Sequence, residues 1–288
     1  MDTASAARMT GRVDLILTSP PFPLTSPKAY GNRIGEEYLS WLVNIVRITR
    51  PLLRDSGSLV IEIGNSWNRG EPTMSTLPIR TLLTISEKCD LNLCQQFIWE
   101  NTAKLPGPAT YVNIERIRLK DSHTNIWWYS PSTHPKANNR NVLNEYSKGQ
   151  RRLMTTGDYN HGLRPSEHTI SEGWFTHDNG GSIHGSTLSF DDEVEPANSV
   201  IRMANTKRDS RYYDWCKKNS IAMHPARMPL ALAKFFISFL TDPGDLVLDP
   251  FGGSGTTGQA ADEMKRKWVL VEPNGEYLDG AKGRFDLK

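Results

Sequence analysis

Leu246-Val247-Leu248-Asp249 runs into Pro250-Phe251-Gly252-Gly253-Ser254-Gly255-Thr256-Thr257-Gly258: an apolar strand ending on a carboxylate, a glycine-rich turn, then a helix start. That succession opens the nucleotide-binding half of a doubly wound α/β sheet. Glycines let the backbone approach a ligand, and a helix N-terminus attracts its negative group. Gly253, Gly255 and Gly258 fit the spacing G-x-G-x-x-G, and Glu272 closes the next predicted strand 19 residues after Gly253. A carboxylate there accepts hydrogen bonds from ribose hydroxyls. A Gly-Lys-Ser/Thr step is absent, which disfavours a nucleoside triphosphate.

The glycine pattern alone also suits a dinucleotide dehydrogenase, or a turn that serves only packing. Thirty residues follow Gly258, too few for the second mononucleotide half of a dinucleotide fold. A cofactor with one nucleoside and a short charged tail fits better. S-adenosylmethionine is such a molecule.

Outward from this turn, strands and helices alternate. Val13 to Leu17 reads as a buried strand ended by Pro20-Pro21, and Glu36 to Leu53 has helical spacing. Asp55-Ser56-Gly57 is expected to turn the chain into a second strand, Ser58 to Ile63. Helix 75–89 and strands 93–100 and 125–129 follow. From Ser130 to about Asn205 periodicity fades into Asn, Ser, Gly, His and charge, as in a functional insert or small module. Regular spacing returns with helix 226–240, strand 245–248, helix 256–264, strand 267–271 and helix 274–285. The expected architecture is a parallel-type, Rossmann-like α/β sheet carrying a recognition insert. It divides into a catalytic half (1–130), a target-recognition region (131–205) and a cofactor-binding half (206–288).

The 288 residues suffice for a full core, and a mean hydropathy of −0.50 with 38% hydrophobic residues suits a soluble globular protein. No apolar run is long enough for a bilayer, the N-terminus lacks a signal-peptide core, and Cys89, Cys94 and Cys216 form no disulfide or metal pattern. A cytoplasmic protein is expected. Net charge is only +2, but two basic blocks, 134–164 and 202–218, surround an acidic one, 167–195. Such blocks form either a phosphate-binding surface or an ordinary solvated loop region.

The second informative segment is Thr18-Ser19-Pro20-Pro21-Phe22. An exocyclic amine on cytosine or adenine is a poor nucleophile, because its lone pair is conjugated with the ring. Acceptors must bind its hydrogens and pull the nitrogen toward tetrahedral geometry. The Ser19 hydroxyl and Pro20 carbonyl are suited to this, the double proline stiffens the loop, and Phe22 offers a face to an extruded base.

With these segments, the chain resembles the amino-methylating DNA methyltransferases of the permuted β type, most closely the PvuII-type N4-cytosine enzymes. Lys104-Leu-Pro-Gly-Pro108, Arg118-Leu-Lys-Asp121 with Trp127-Trp128, Asp178-Asn-Gly-Gly-Ser-Ile183 and His224-Pro-Ala-Arg-Met-Pro229 extend the likeness over most of the chain. The resemblance implies a circularly permuted methyltransferase fold, S-adenosylmethionine as cofactor and double-stranded DNA as partner. It implies that Ser19, Pro20, Pro21 and Phe22 engage the target base. Thr18, His224, Asp249, Phe251, Gly252, Gly253, Ser254, Thr256, Thr257 and Glu272 are the implied cofactor contacts. Serine before Pro-Pro, with Phe22, favours cytosine N4 and leaves adenine N6 open. A nucleoid-associated location follows from the DNA substrate, and the resemblance allows a cognate restriction endonuclease that acts on the same site without forming a complex.

Glu62 interrupts the apolar run Leu59 to Ile63 and is a catalytic candidate, either beside the target base or as proton acceptor; the alternative is a hydrogen-bonded strand end. Arg164, Asn179, Ser182, Arg202 and Lys207 are candidate DNA contacts, with no base assigned to any. The spacing of His161, His168, His177 and His184 lacks the close pairs of a metal site, so no metal is expected. No cysteine follows a proline, which disfavours a covalent attack on cytosine C5. A catalytically silent DNA-binding module of the same fold is the reading of a different class.

Overall fold

The computed structural model describes residues 7–23, 33–101, 104–157, 161–171, 173–188 and 210–285. Along them run strands β1 (Val13–Thr18), β2 (Leu53–Gly64), β3 (Asn92–Glu100), β4 (His123–Ser130), β5 (Gly162–Leu163), β6 (Thr169–Ile170), β7 (Thr187–Leu188), β8 (Leu246–Asp249) and β9 (Lys267–Leu270). The helices are α1 (Gly35–Thr49), α2 (Leu77–Lys88), α3 (Lys148–Thr156), α4 (Ser210–Lys218), α5 (Leu230–Leu240), α6 (Thr256–Glu263) and α7 (Gly275–Ala281). Seven strands form one sheet in the order β7-β3-β4-β2-β1-β8-β9, and β5 with β6 makes a separate hairpin.

The sheet is covered on both faces. Val13 and Ile16 of β1 join a core with Tyr38 and Leu42 of α1 and Leu82 and Ile85 of α2. Leu15 and Leu17 enter the opposite core, with Phe236 and Leu240 of α5 and Ala260 and Ala261 of α6. A strand buried on both sides is apolar on both, which is why Leu15 to Leu17 shows no alternation; the one charged residue of the run, Asp14, is paired with Arg54 (2.9 Å) and accepts from the Leu246 N–H (2.9 Å).

β1 is parallel to β2 on one side and to β8 on the other. The β1–α1–β2 crossover leads outward one way and the β8–α6–β9 crossover the other, with their helices on opposite faces. Adjacent strands whose crossovers diverge leave a crevice at their carboxyl ends, where α/β sheets bind ligands.

Three expectations are corrected, while the parallel-type sheet holds with one strand reversed: β4 is antiparallel to both β2 and β3. The loop from β3 to β4 makes no helical crossover, so the chain can only return in the opposite direction. Asp55 to Gly57 does not precede the second strand but bulges within β2, since Val13 pairs with Leu53 and Leu15 already with Ser58. The described part of 131–205 is more ordered than its periodicity suggests: it contains α3, the β5–β6 hairpin and β7, which pairs with β3 at the sheet edge. Finally, α5 starts at Leu230 and not at Ala226, because Pro229 occupies the cap position and disfavours helical backbone at Met228 before it. Residues 226–229 are thereby free to reach the crevice.

Candidate active site

Where β1 and β8 end, the two halves of the chain are joined by side chains. Asp249, buried at the tip of β8, accepts from the Thr18 hydroxyl (2.7 Å), the Thr257 hydroxyl (2.7 Å) and the Phe251 N–H (3.0 Å). Burial raises the Asp249 pKa while these donors pull it back down. The carboxylate fixes the turn to its neighbouring strand and to the first turn of α6.

Around this brace opens a cavity of about 540 Å³, lined among others by Ser19, Pro20, Pro21, Phe22, Asp249, Phe251, Gly252, Gly253, Ser254, Thr256, Thr257, Glu272 and His224. Thirteen of the fifteen residues expected to act on the base or hold the cofactor thus share one space; Thr18 and Glu62 lie behind it. Gly253 has φ +48°, and a Cβ there would stand 3.2 Å from the His224 ring, so the turn needs glycine. Glu272 Oε2 accepts from the Gly253 N–H (2.9 Å) and Oε1 from the Asn274 N–H (2.9 Å). Each oxygen keeps a second lone pair. The His224 ring packs edge-on against Tyr277 at 4.5 Å, and Nδ1 accepts from the Ala226 N–H at 3.3 Å. Burial lowers its pKa, so the imidazole is neutral at neutral pH.

Several lining residues were not among the sequence candidates. Trp41 of α1 meets Phe251 edge-to-face at 5.4 Å, and Arg33 lies over the Trp41 ring at 5.9 Å. Arg227, within the His224 to Pro229 segment, also lines the cavity. Its Nη1 is buried and finds no hydrogen-bond partner among the described residues. A buried guanidinium nitrogen without a partner is costly unless a ligand satisfies it. The available signal for Trp41 was its position one helical turn from Tyr38; for Arg227 it was the segment itself.

On the opposite wall, the Phe22 ring rests on the backbone of Gly64, the last residue of β2; a Cβ at Gly64 would lie 2.6 Å from it. Only glycine admits this contact, which holds the aromatic face toward the cavity. Behind Ser19 stands Glu62, almost wholly buried. Its pKa is pushed up to about 7 by burial, partly offset by a hydrogen bond with the Ser19 side chain and by the charge of Lys104. Its Oε2 has no partner among the described residues. With Glu62 ionised, Ser19 donates to it and turns both hydroxyl lone pairs outward.

The DNA-contact candidates are not gathered in the same way. Asn179 and Ser182 line a second cavity of about 660 Å³, together with Tyr146, Trp174 and Phe175. Ser182 is held there by paired backbone hydrogen bonds with Asn144, both 2.9 Å. Arg164 sits in the β5–β6 hairpin, and Arg202 and Lys207 lie outside the described residues. Among the described residues, no three His, Cys, Asp or Glu side chains gather as a metal site would need, and no helix is long and apolar enough to cross a membrane.

Residues 13–283 match the family model described as DNA methylase. Over 275 residues the chain is 37% identical to the type II methyltransferase M.PvuII of Proteus hauseri, spanning 95% of this chain and 78% of that protein. A solved PvuII DNA methyltransferase (cytosine-N4-specific) superposes with a TM-score of 0.71 at 30% identity, covering 96% of this chain and 80% of that one. A stretch of 64 residues, 22% of either chain, is 45% identical to the DNA adenine methyltransferase YhdJ of Escherichia coli (strain K12). With Ser19 to Phe22 and the glycine turn lining one cavity, and with similarity of this extent, the chain belongs to the N6/N4 DNA methylase family.

Proposed function

We propose that the protein transfers a methyl group from S-adenosylmethionine to the N4 amino group of a cytosine extruded from double-stranded DNA. The observation that carries this is the single cavity lined by Ser19 to Phe22 on one side and by the glycine turn, Glu272 and Arg227 on the other. The chain's own groups fit the cofactor. Glu272 keeps lone pairs for ribose hydroxyls, and Trp41 and Phe251 offer aromatic faces. The unpartnered Arg227 Nη1 and the start of α6 suit a carboxylate.

Bound S-adenosylmethionine supplies a methyl on a sulfonium, a good leaving group. The Ser19 hydroxyl oxygen and the Pro20 carbonyl accept the two amine hydrogens, and Phe22, fixed against Gly64, stacks on the base. Glu62 acts through Ser19: while ionised it takes the hydroxyl hydrogen, so the oxygen faces the amine as a pure acceptor. The amine sheds one proton as the new bond forms, and Glu62 behind Ser19 is a nearby base for it. The protein's contribution is orientation and acceptor placement.

Ser19, Phe22 and the cytosine-N4-specific relative aligned along nearly the whole chain favour cytosine N4 over adenine N6. The adenine-acting relative aligns over 64 residues only. The type II name of M.PvuII supports a cognate endonuclease acting on the same site without forming a complex, and a DNA substrate supports a nucleoid-associated protein. Asn179 and Ser182 are proposed to face DNA, and residues 131–205 to form the target-recognition region. The test is mass spectrometry of nucleosides from DNA incubated with protein and S-adenosylmethionine. N4-methylcytosine is expected; N6-methyladenine would overturn the base assignment, and no methylated base in DNA carrying diverse sequences would overturn the activity.

A further inference from the structure

Apart from the charge of Lys104 near Glu62, the loop joining β3 to β4 has no part in the chemistry above, yet it leaves the sheet on the edge where β1, β2 and β8 end. Its root is clamped beside the catalytic segment. Lys104 Nζ donates to Asp121 Oδ2 (2.7 Å) and to the His123 carbonyl (2.9 Å), and Asp121 Oδ1 accepts from Asn65 Nδ2 (3.0 Å). Asn65 follows Gly64, the residue on which the Phe22 ring rests.

Beyond the clamp the loop is held by its own backbone. A single π-turn, Thr110–Ile114, is followed by Arg116 at φ +57°, and the Tyr111 carbonyl accepts from the N–H groups of Ile117 (2.9 Å) and Arg118 (3.2 Å). Arg118 Nε donates to the Pro72 carbonyl at 2.8 Å. This ordered loop carries its apolar side chains outward: Leu105 is 83% exposed, Ile114 77% and Leu119 89%. Cations alternate with them, in the run Arg116-Ile117-Arg118-Leu119-Lys120.

Isolated exposed leucines need no account, but an apolar group on a held loop at an active-site rim marks an interaction surface. Alternating apolar and cationic side chains match a partner that offers apolar faces between lines of negative charge, as stacked bases between phosphate backbones do. A base leaving its stack opens a gap, and apolar wedges are side chains that enter such gaps.

We propose that Leu105 and Leu119 form a wedge that enters the duplex where the target base has left it, with Arg116 against a neighbouring phosphate. The proposal rests on the reading of the protein as a methyltransferase of duplex DNA. It adds a part for a loop with no contact to the cofactor cavity.

The test uses the full chain and two duplexes containing a site mapped by wild-type methylation: one fully paired, one mismatched opposite the target base. A mismatched base is already easier to extrude. For Leu105→Ala/Leu119→Ala, kcat/KM on the paired duplex should fall about tenfold or more while the mismatched duplex stays within about threefold of wild type. Calorimetric binding of S-adenosylmethionine should be unchanged. Leu119→Met, which keeps a wedge of similar size, should retain activity on the paired duplex. Equal losses on both duplexes, no loss on either, or a Leu119→Met variant as poor as the alanine variant would overturn the wedge. A concentration-dependent dimer that disappears in the double variant, with equal losses on both duplexes, would also overturn it and give the loop to self-association. If mapping finds no site that the wild-type protein methylates, the functional reading falls instead, and the wedge with it.

Discussion

Two buried carboxylates stand at the carboxyl edge of the same sheet and are treated in opposite ways. Asp249, at the end of β8, receives three donors on its two oxygens. Glu62, near the end of β2, engages Ser19 and keeps one oxygen without a partner among the described residues. Burial raises the pKa of both. A carboxylate fully supplied with hydrogen bonds is a fastener, whereas an under-supplied one has capacity left for a reaction. The side of the cleft proposed to hold the donor is therefore locked, and the side proposed to take the base is poised.

Breaking the link between Glu62 and the cavity should have the largest effect. Ser19→Ala removes the proposed amine acceptor and the hydroxyl that bonds Glu62; turnover is expected to fall by roughly 10²- to 10³-fold. Cofactor affinity measured by calorimetry should barely move, and normal turnover would take the serine out of the mechanism.

Breaking the fastener should damage a different property. In Asp249→Asn an amide N–H₂ must face donors that now meet an acceptor. Leaving such groups unsatisfied costs about 1–3 kcal/mol. Thermal unfolding should come earlier and S-adenosylmethionine should bind more weakly, because Thr18 and Thr257 lose their common anchor. A variant as stable as wild type would show that Asp249 does not brace the strands.

Glu62→Gln sharpens the contrast, because it should lower activity and raise stability together. A positioned base contributes about 10²-fold at the low end of its usual range, so turnover should fall by roughly two orders of magnitude with DNA and cofactor affinity kept. For stability, the native carboxyl holds its proton up to about pH 7, against an ordinary value of 4.5. The native state therefore binds more protons than the unfolded chain between these values, and stability is lost as pH rises through that window. The full loss is on the order of 3 kcal/mol. A neutral amide does not incur it, so the variant should melt later than wild type at pH 8 and about equally at pH 4.5. Unchanged turnover would reduce Glu62 to a strand-end carboxylate.

The smallest effect is a limb in the pH–rate profile. Wild-type kcat should rise through about pH 7 as Glu62 ionises and releases Ser19 to act as an acceptor. The limb should be absent from Glu62→Gln.

Much of this could be anticipated from runs of residues. The apolar strand ends at Leu17 and Leu248, the proline pair and the glycine turn are local signals, and each lies where it was expected. The reversal of β4 was not legible, because periodicity reports which face a strand buries and is silent on its direction. That Asp249 also braces the strands was not legible, because its partner Thr18 is 231 positions away. Trp41 and Arg227 were missed for the same reason, since a helix residue and a loop residue become neighbours of the site only after the sheet assembles. The described part of residues 131–205 was least legible. Its order comes from pairings such as Asn144 with Ser182 and Ile98 with Thr187, and no short window contains both partners.

The adjacency of β1 and β8 has a consequence for the protein's synthesis. β1 is made well before β8, its neighbour in the sheet, because Asp249 follows Thr18 by 231 positions. A nascent chain carrying Ser19 to Phe22 still lacks the glycine turn that closes the cavity around them. Activity is therefore expected only once β8 and the turn after it have been made, and a chain halted before β8 should be inert.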